Sequence, residues 1–372
     1  MEQILPLIVG FLMAALLGKF FIPGILLVAH EKSLFDLPDA RKVHTTPIPR
    51  LGGVTFFPVI LFVTSVISLF LFYYCDHCEN FFSTHIISEC LGLVAGLTLL
   101  YVIGVGDDLV GVRYSRKFLI QIVSALLIPA AGLWINDFYG LFGIGEIPSY
   151  IGIPFTVLLT VFVTNAINLI DGIDGLASGL STVALGMFGV TFAIEGLWMY
   201  SLMAFVCVGV IVPFFCYNVF GNVEKHHKIF MGDTGSLTLG FILSLMAIKY
   251  SMYNGEADQS VDGAPLMTAF SMLLVPCLDV LRVVMGRLRR KAHPFKPDRT
   301  HLHHKFLLMG LKPRTSMMLI LLMAVAYIVL TYALINVGIP ANVVFVLVLM
   351  IWIISNIWFS IVIRRRGKMG LC

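Results

Sequence analysis

The sequence predicts an all-α integral membrane protein: a polytopic bundle of about eleven transmembrane helices, N-terminus outside and C-terminus cytosolic. Three observations lead there. The 372 residues are 59% hydrophobic and 12% charged, with mean hydropathy +0.95, a balance outside the soluble range. The apolar stretches are long enough to cross a bilayer, which takes about 20 residues per helix. Lys and Arg fall on alternate sides of those stretches, the signature of a positive interior face.

Eleven segments meet the length requirement. Residues 4–29 lack the basic start and small-residue cleavage site of a signal peptide and are expected to remain as an anchor. Next come 52–74, rich in Phe, Val and Ile; 86–106, which runs into Asp107-Asp108; and 118–134, which follows Arg116-Lys117. Segments 149–164 and 176–194 bracket the polar stretch NAINLIDGIDG, and 198–217 follows after a short link. The last four are 235–250, preceded by GDT; 264–284; 316–336; and 341–363, which stops against Arg364-Arg365-Arg366.

With the N-terminus outside, 23 of the 25 Lys and Arg lie in or beside segments 30–51, 107–117, 218–234, 282–315 and 364–372; Lys19 and Lys249 are the exceptions. The opposite connections, near 75–85, 135–148, 195–197, 251–263 and 337–340, carry none. One missed helix would scramble this alternation, so an odd number of spans fits. Residues 1–372 read as a single membrane domain without repeats or low-complexity tracts. The partner this composition implies is the lipid bilayer, with no sign of a nucleic acid. Cys207, Cys216 and Cys277 read as packing residues. Cys75 and Cys78, in an external CDHC, admit a local disulfide, whereas zinc there needs two further ligands.

An Asp at mid-bilayer costs roughly 2.5–3.5 kcal/mol on insertion scales, so acidic clusters belong where helices meet water. GVGDDLVG sets Asp107 and Asp108 at the end of the third span, NAINLIDGIDGLASG sets Asp171 and Asp174 between the fifth and sixth, and MGDTGS sets Asp233 just before the eighth. All three fall on the cytosolic side. Each has a plain reading: DD as a solvated helix cap, DGIDG as Asp-Gly turn chemistry, GDTGS as the N-cap of the next helix. Their convergence on one face, among glycines that let a backbone approach a ligand, argues instead for a site. Gathered carboxylates repel, and a hard divalent cation such as Mg²⁺, which takes Asp and Asn oxygens, relieves them.

On the same face stands HPFKPDRTHLHH (293–304), with Arg299, His301, His303 and His304. Zinc fits poorly, because no Cys lies near on this side. A solvated loop stays open, yet Pro294 and Pro297 stiffen the segment and its donors suit an anion. Carboxylates holding Mg²⁺ beside Arg and His donors are the equipment of phosphoryl transfer.

In chain order, DLPDARKVHTTPIPRLGG (36–53), GVGDDLVG (104–111), NAINLIDGIDGLASG (165–179), YN (217–218), IFMGDTGS (229–236) and HPFKPDRTHLHH resemble the motifs of one family. It is the polyprenyl-phosphate N-acetylhexosamine-1-phosphate transferases, of glycosyl transferase family 4 type, and most closely their bacterial undecaprenyl-phosphate GlcNAc-1-phosphate transferase branch. That family's eleven-span, N-outside architecture agrees with the topology read from charge.

The resemblance implies transfer of N-acetylhexosamine 1-phosphate, GlcNAc-1-phosphate above all, from a UDP-sugar to undecaprenyl phosphate. UMP is released, and Mg²⁺ is required, with Mn²⁺ as a substitute. It implies an active site on cytosolic segments 30–51, 107–117, 165–175, 218–234 and 285–315 of a bacterial inner-membrane protein, and is compatible with a homodimer. By motif position, Asp233 is expected as the principal Mg²⁺ ligand and Asn168 as the second, while Asp107 and Asp108 serve the lipid phosphate or the metal. Asp171, Asp174, Asn218 and Phe230 are expected to face the nucleotide, Phe230 stacking on uracil. Lys42, His44 and Arg50, with Arg299, His301, His303 and His304, are expected to meet phosphates. The last four form the catalytic set with Asp107 and Asp108.

Two other functions stay in play. The muramoyl-pentapeptide branch of the same family carries a continuous HHH followed by an acidic residue, where this chain reads HLHHKF with Lys305. A transporter is the reading from another class, since intramembrane acids mark ion paths. The acids here cluster in turns at one face; Asp279, near the end of the ninth span, is an exception that reads as helix-end packing or a partner of Arg282.

Overall fold

A computed structural model describes residues 3–36, 46–74, 81–252, 263–293 and 300–368. The helices follow in order as α1 (Ile4–Glu31), α2 (Phe56–Tyr74), α3 (Thr84–Val110), α4 (Tyr114–Ala130), α5 (Ser149–Ile170) and α6 (Leu176–Ile194). They continue as α7 (Trp198–Phe220), α8 (Gly232–Ser251), α9 (Ala264–Arg289), α10 (Leu302–Leu308), α11 (Pro313–Asn336) and α12 (Ala341–Lys368). Two short strands, β1 (Phe35–Asp36) and β2 (Ile48–Pro49), pair antiparallel with Phe35 opposite Pro49.

The eleven expected spans correspond to every helix but the short α10. Nine helices among the described residues are long and apolar enough to cross a membrane, and their outer faces carry Phe20, Phe72 and Ile354 uncovered. In water such a surface would aggregate; this is a multi-pass membrane protein. The two remaining spans differ for separate reasons. α4 has only 17 residues. α8 opens on the polar turn Gly-Asp-Thr-Gly-Ser, and from Thr234 to Ser251 every residue except Lys249 is buried. It packs against α3, α5, α6 and α9, so it faces protein rather than lipid. α3 comes close because position 104 is glycine: a Cβ there would stand 2.6 Å from Thr234 Cα.

The helices also run past the apolar segments. α3 continues through Asp107 and Asp108 to Val110 and ends where Gly111 adopts φ +72°; α5 reaches Ile170, and α4 starts at Tyr114. Backbone hydrogen bonds carry a helix into the polar boundary until a residue breaks the ladder, whatever the side chains. Asp107, Lys117, Asn168 and Asp233 therefore stand on helix ends rather than on loops.

At the opposite end, α3, α7 and α8 are tied by a trio in which Glu89 and Tyr200 are buried and Lys249 is half-buried. Lys249 Nζ lies 2.8 Å from Glu89 Oε1, the Tyr200 hydroxyl donates to Glu89 Oε2, and the ammonium sits 4.8 Å over the Tyr200 ring. Glu89 is a second intramembrane acid, tolerated because it is fully paired.

Candidate active site

Four helices bring four polar side chains together. Lys117 Nζ, from the first turn of α4, is 3.1 Å from Asp107 Oδ2 on α3 and also bonds the Asp233 carboxylate on α8. Asn168, on α5, donates from Nδ2 to Asp233 Oδ1 at 3.0 Å and to Ser236 Oγ at 2.7 Å. Asp107 Oδ1 accepts from the Val112 N–H at 2.6 Å, which holds the carboxylate over the end of α3.

Asp108, one residue on, points elsewhere. It is buried and accepts from the backbone N–H of Asp233 at 2.8 Å, from that of Thr234 at 3.0 Å and from the Thr234 hydroxyl at 2.7 Å. The N-cap residue of α8, Met231, supplies no side-chain cap, so Asp108 does it from another helix, where a carboxylate also meets the positive end of the dipole. Gly232 has φ +73°, and a Cβ there would lie 2.5 Å from Asp108 Oδ2, so the turn requires glycine. Asp108 thus supports Asp233, and GDTGS is not a self-capping turn.

Arg50 lashes the β1–β2 segment to the same place. Its Nε donates to the Asp108 carbonyl and its Nη2 to the Asp107 carbonyl, both at 3.1 Å, with Asp36 at 3.7 Å from Nη1. The last carbonyls of α3 are satisfied by a cation, as its dipole favours.

A second cluster faces these groups. Asp174 Oδ2 is 2.5 Å from Lys228 Nζ, which also donates to the Asn218 carbonyl at 3.1 Å. Asn218 is buried; its Oδ1 accepts from Gly175 N at 2.6 Å and its Nδ2 donates to the Ile229 carbonyl at 2.8 Å. That amide braces the DGIDG turn against IFMGDTGS, and Asn218 also lines the cavity on the side where the nucleotide is expected. Phe230 is fixed through its backbone, N–H to the Pro49 carbonyl at 2.7 Å and carbonyl from Gly52 N–H at 2.9 Å. Asp171 is exposed on the cavity wall, with the Asp174, Asp233 and Asp108 carboxylates near it.

The histidines form a row. His301 Nδ1 is 2.8 Å from Asp279 Oδ2, the His301 and His303 rings lie parallel at 5.9 Å, and His303 meets His304 at 4.2 Å. His303 is 2% exposed and neither of its ring nitrogens has a partner; burial, reinforced by the His304 and His301 rings, pushes it down to about 3. Only His304 of the three reaches the cavity wall. Lys305 turns away to Asn356 Oδ1 and Ser360 Oγ on α12, each at 3.2 Å. Lys42, His44 and Arg299 lie outside the described residues, as do Cys75 and Cys78.

These groups surround a cavity of about 580 Å³ lined by Asp36 and Arg50, Asp108, Asn168 and Asp171, Lys228 and Asp233, and His304. All five expected segments contribute to one wall, within the size range of small-ligand sites.

The sequence profile of glycosyl transferase family 4 matches residues 90–251, the stretch that supplies Asp107, Lys117, Asn168 and Asp233. Over 366 residues the chain is 30% identical to a Bacillus subtilis (strain 168) protein named "Probable undecaprenyl-phosphate N-acetylglucosaminyl 1-phosphate transferase", covering 96% of this chain and 93% of that one. The chain belongs to glycosyl transferase family 4. Two further relatives, from Yersinia pestis and Escherichia coli K12, are named undecaprenyl-phosphate alpha-N-acetylglucosaminyl 1-phosphate transferase. They are 30% and 29% identical over 302 residues, 80% of this chain and 76% and 75% of theirs.

For a family 4 chain the question of a metal then arises. Among the described residues no group of three or more His, Cys, Asp or Glu forms a ready-made cage. Mg²⁺ does not need one, since it is held by one or two carboxylates plus substrate phosphates and water. The residues fit that requirement: Asp107 and Asp233 already flank a cation, the Lys117 ammonium. Asn168, with its NH₂ used on Asp233 and Ser236, keeps a carbonyl oxygen for a hard ion. Lys117 and Lys228 are the two cations that sequence reasoning misses in this family 4 site. Lys228 directly precedes IFMGDTGS, but Lys117 is one of three basic residues in RYSRK, and only the fold singles it out.

Proposed function

We propose that this protein transfers N-acetylhexosamine 1-phosphate, GlcNAc-1-phosphate by preference, from a UDP-sugar to undecaprenyl phosphate and releases UMP. The observation that carries the reading is the meeting of Asp233 with Lys117, Asn168 and Asp107, from four helices, beside a cavity edged with basic groups. The names of the relatives support the lipid acceptor and favour GlcNAc over a muramoyl-pentapeptide donor.

Asp233 and Asn168 would hold Mg²⁺, or Mn²⁺ in its place; the bound ion withdraws charge from the diphosphate. Lys117 and Asp107 position the acceptor phosphate beside that point. Arg50, Lys228 and His304 border the cavity and neutralise phosphate oxygens, joined by Lys42, His44 and Arg299; Phe230 and Asp171 face the nucleotide. A lipid-phosphate oxygen attacks the β-phosphorus, the P–O bond to UMP breaks, and the sugar C–O bond stays intact. A phosphate monoester is largely ionised near pH 7, so the attack is direct and needs no base. Positioning and charge neutralisation supply the catalysis. The concentration of Lys and Arg on the site side supports an inner-membrane protein with this face in the cytosol, its single transferase domain spanning 1–372.

The test is reconstitution. Purified protein with UDP-GlcNAc, Mg²⁺ and undecaprenyl phosphate is expected to yield UMP in step with a lipid diphosphate sugar. Absence of UMP with every UDP-N-acetylhexosamine tried, and with a UDP-N-acetylmuramoyl-pentapeptide, would leave a transporter as the surviving reading.

A further inference from the structure

The strongest pairing in the histidine segment lies behind the cavity. Asp279, on α9, is 0% exposed. Its Oδ2 is 2.8 Å from His301 Nδ1, while its Oδ1 accepts from the Leu302 N–H at 3.0 Å and from Arg282 Nη2 at 2.6 Å. The same guanidinium nitrogen donates to the Thr300 carbonyl at 2.7 Å. One carboxylate and its arginine therefore grip three consecutive residues, Thr300, His301 and Leu302.

The grip reaches the cavity through stacked rings. His301 lies parallel to His303, with an interplanar angle of 9°, and His303 contacts His304. His303 is packed so tightly over the DGIDG turn that a Cβ at Gly172 would come within 2.2 Å of its Nε2. Gly172 and His304 both line the cavity. A buried ion pair adds little net stability over apolar packing of the same volume, so stability alone gives no reason for a carboxylate at position 279. A carboxylate on one nitrogen of an imidazole does fix which nitrogen carries the proton and how the ring is oriented.

We propose that Asp279 is a positioning residue of the transfer reaction: it holds His301 with its proton on Nδ1 and, through that ring, sets HLHH against the Gly172 turn. The kinetic part of this proposal rests on the transferase reading; the pairing itself does not.

Asp279→Asn keeps the shape and removes the charge. ¹⁵N-histidine NMR of the solubilised full-length protein, with the His301 signal identified by its disappearance in His301→Gln, is expected to show Nδ1–H in the wild type and its loss in Asp279→Asn. The kcat for UMP release is expected to fall about 10- to 100-fold with KM for UDP-GlcNAc within about twofold. Adding Asp279→Asn to His301→Gln is expected to cost nothing more. An unchanged His301 tautomer, or a kcat loss that persists in full in the His301→Gln background, overturns the proposal. Should His301→Gln leave no measurable turnover, the tautomer decides alone. A wild-type protein that releases no UMP from any donor removes the transferase reading, while the tautomer comparison still decides the Asp279–His301 pairing.

Discussion

The Lys117 ammonium lies 3.1 Å from Asp107 Oδ2 while bonding Asp233 on its other side. Two carboxylates from α3 and α8 would otherwise repel across this gap. Lys117, from α4, holds them together, and in the proposed reaction its positive charge would meet the acceptor phosphate. Lys117→Met is expected to lower kcat for UMP release by about 10²- to 10³-fold, the usual effect of deleting one preorganised charge donor. Turnover within about threefold of wild type would contradict the placement of Lys117 in the reacting centre.

Asp108→Ala is expected to do two things where Asp233→Ala does one. It deletes the cap of α8, worth about 1–2 kcal/mol, and leaves the buried Thr234 N–H and hydroxyl without their acceptor. The melting temperature should therefore drop together with UMP release, whereas Asp233→Ala should lose turnover alone. Thermal unfolding of the two variants side by side checks this; an Asp108→Ala protein that melts like wild type removes the capping role.

His303 gives a pH dependence of stability. Its folded value, about 3, lies below the ordinary 6.5, so between these limits the unfolded chain binds a proton that the folded chain does not. The contribution is present above pH 6.5 and is lost as pH falls toward 3, at up to about 1.4 kcal/mol per pH unit. Melting curves at pH 7, 6 and 5 should show wild type falling more steeply than His303→Asn; parallel curves would mean that His303 is not held neutral by burial.

The trio at the far end supplies a control remote from the chemistry. Glu89→Ala leaves the half-buried Lys249 ammonium without its carboxylate partner, which is expected to lower stability by less than the roughly 3–5 kcal/mol of breaking a fully buried pair. The surviving folded protein should keep the wild-type kcat, because Glu89 and Asp107 lie at opposite ends of α3. Unfolding and UMP release measured on one preparation separate the two effects.

Much of this is legible in the sequence, because the signals are strong ones. Apolar length and the sidedness of Lys and Arg mark the spans, and Asp-Gly clusters mark the acidic turns. What the sequence hides is direction. Asp107 and Asp108 are adjacent and look alike, yet helical geometry sends one toward Lys117 and the other under α8. Lys117 is indistinguishable from Arg113 and Arg116 until α4, starting at Tyr114, turns its ammonium onto Asp107 and Asp233. Asn218 lines the cavity as its motif suggests, but its bracing of the DGIDG turn through two backbone groups has no signal in the sequence. Asp279 pairs with Arg282, three residues on, as its spacing allowed; its second partner, His301, and the Lys249 that pairs with Glu89 are too distant in sequence to be found by inspection.

The central claim is that Asp233 is the point on which donor, acceptor and ion converge, and the most direct measurement is UMP release by Asp233→Ala in proteoliposomes containing undecaprenyl phosphate, with UDP-GlcNAc and Mg²⁺. The expected result is background turnover from a protein that still inserts and melts as wild type does. Turnover near the wild-type level would contradict the account.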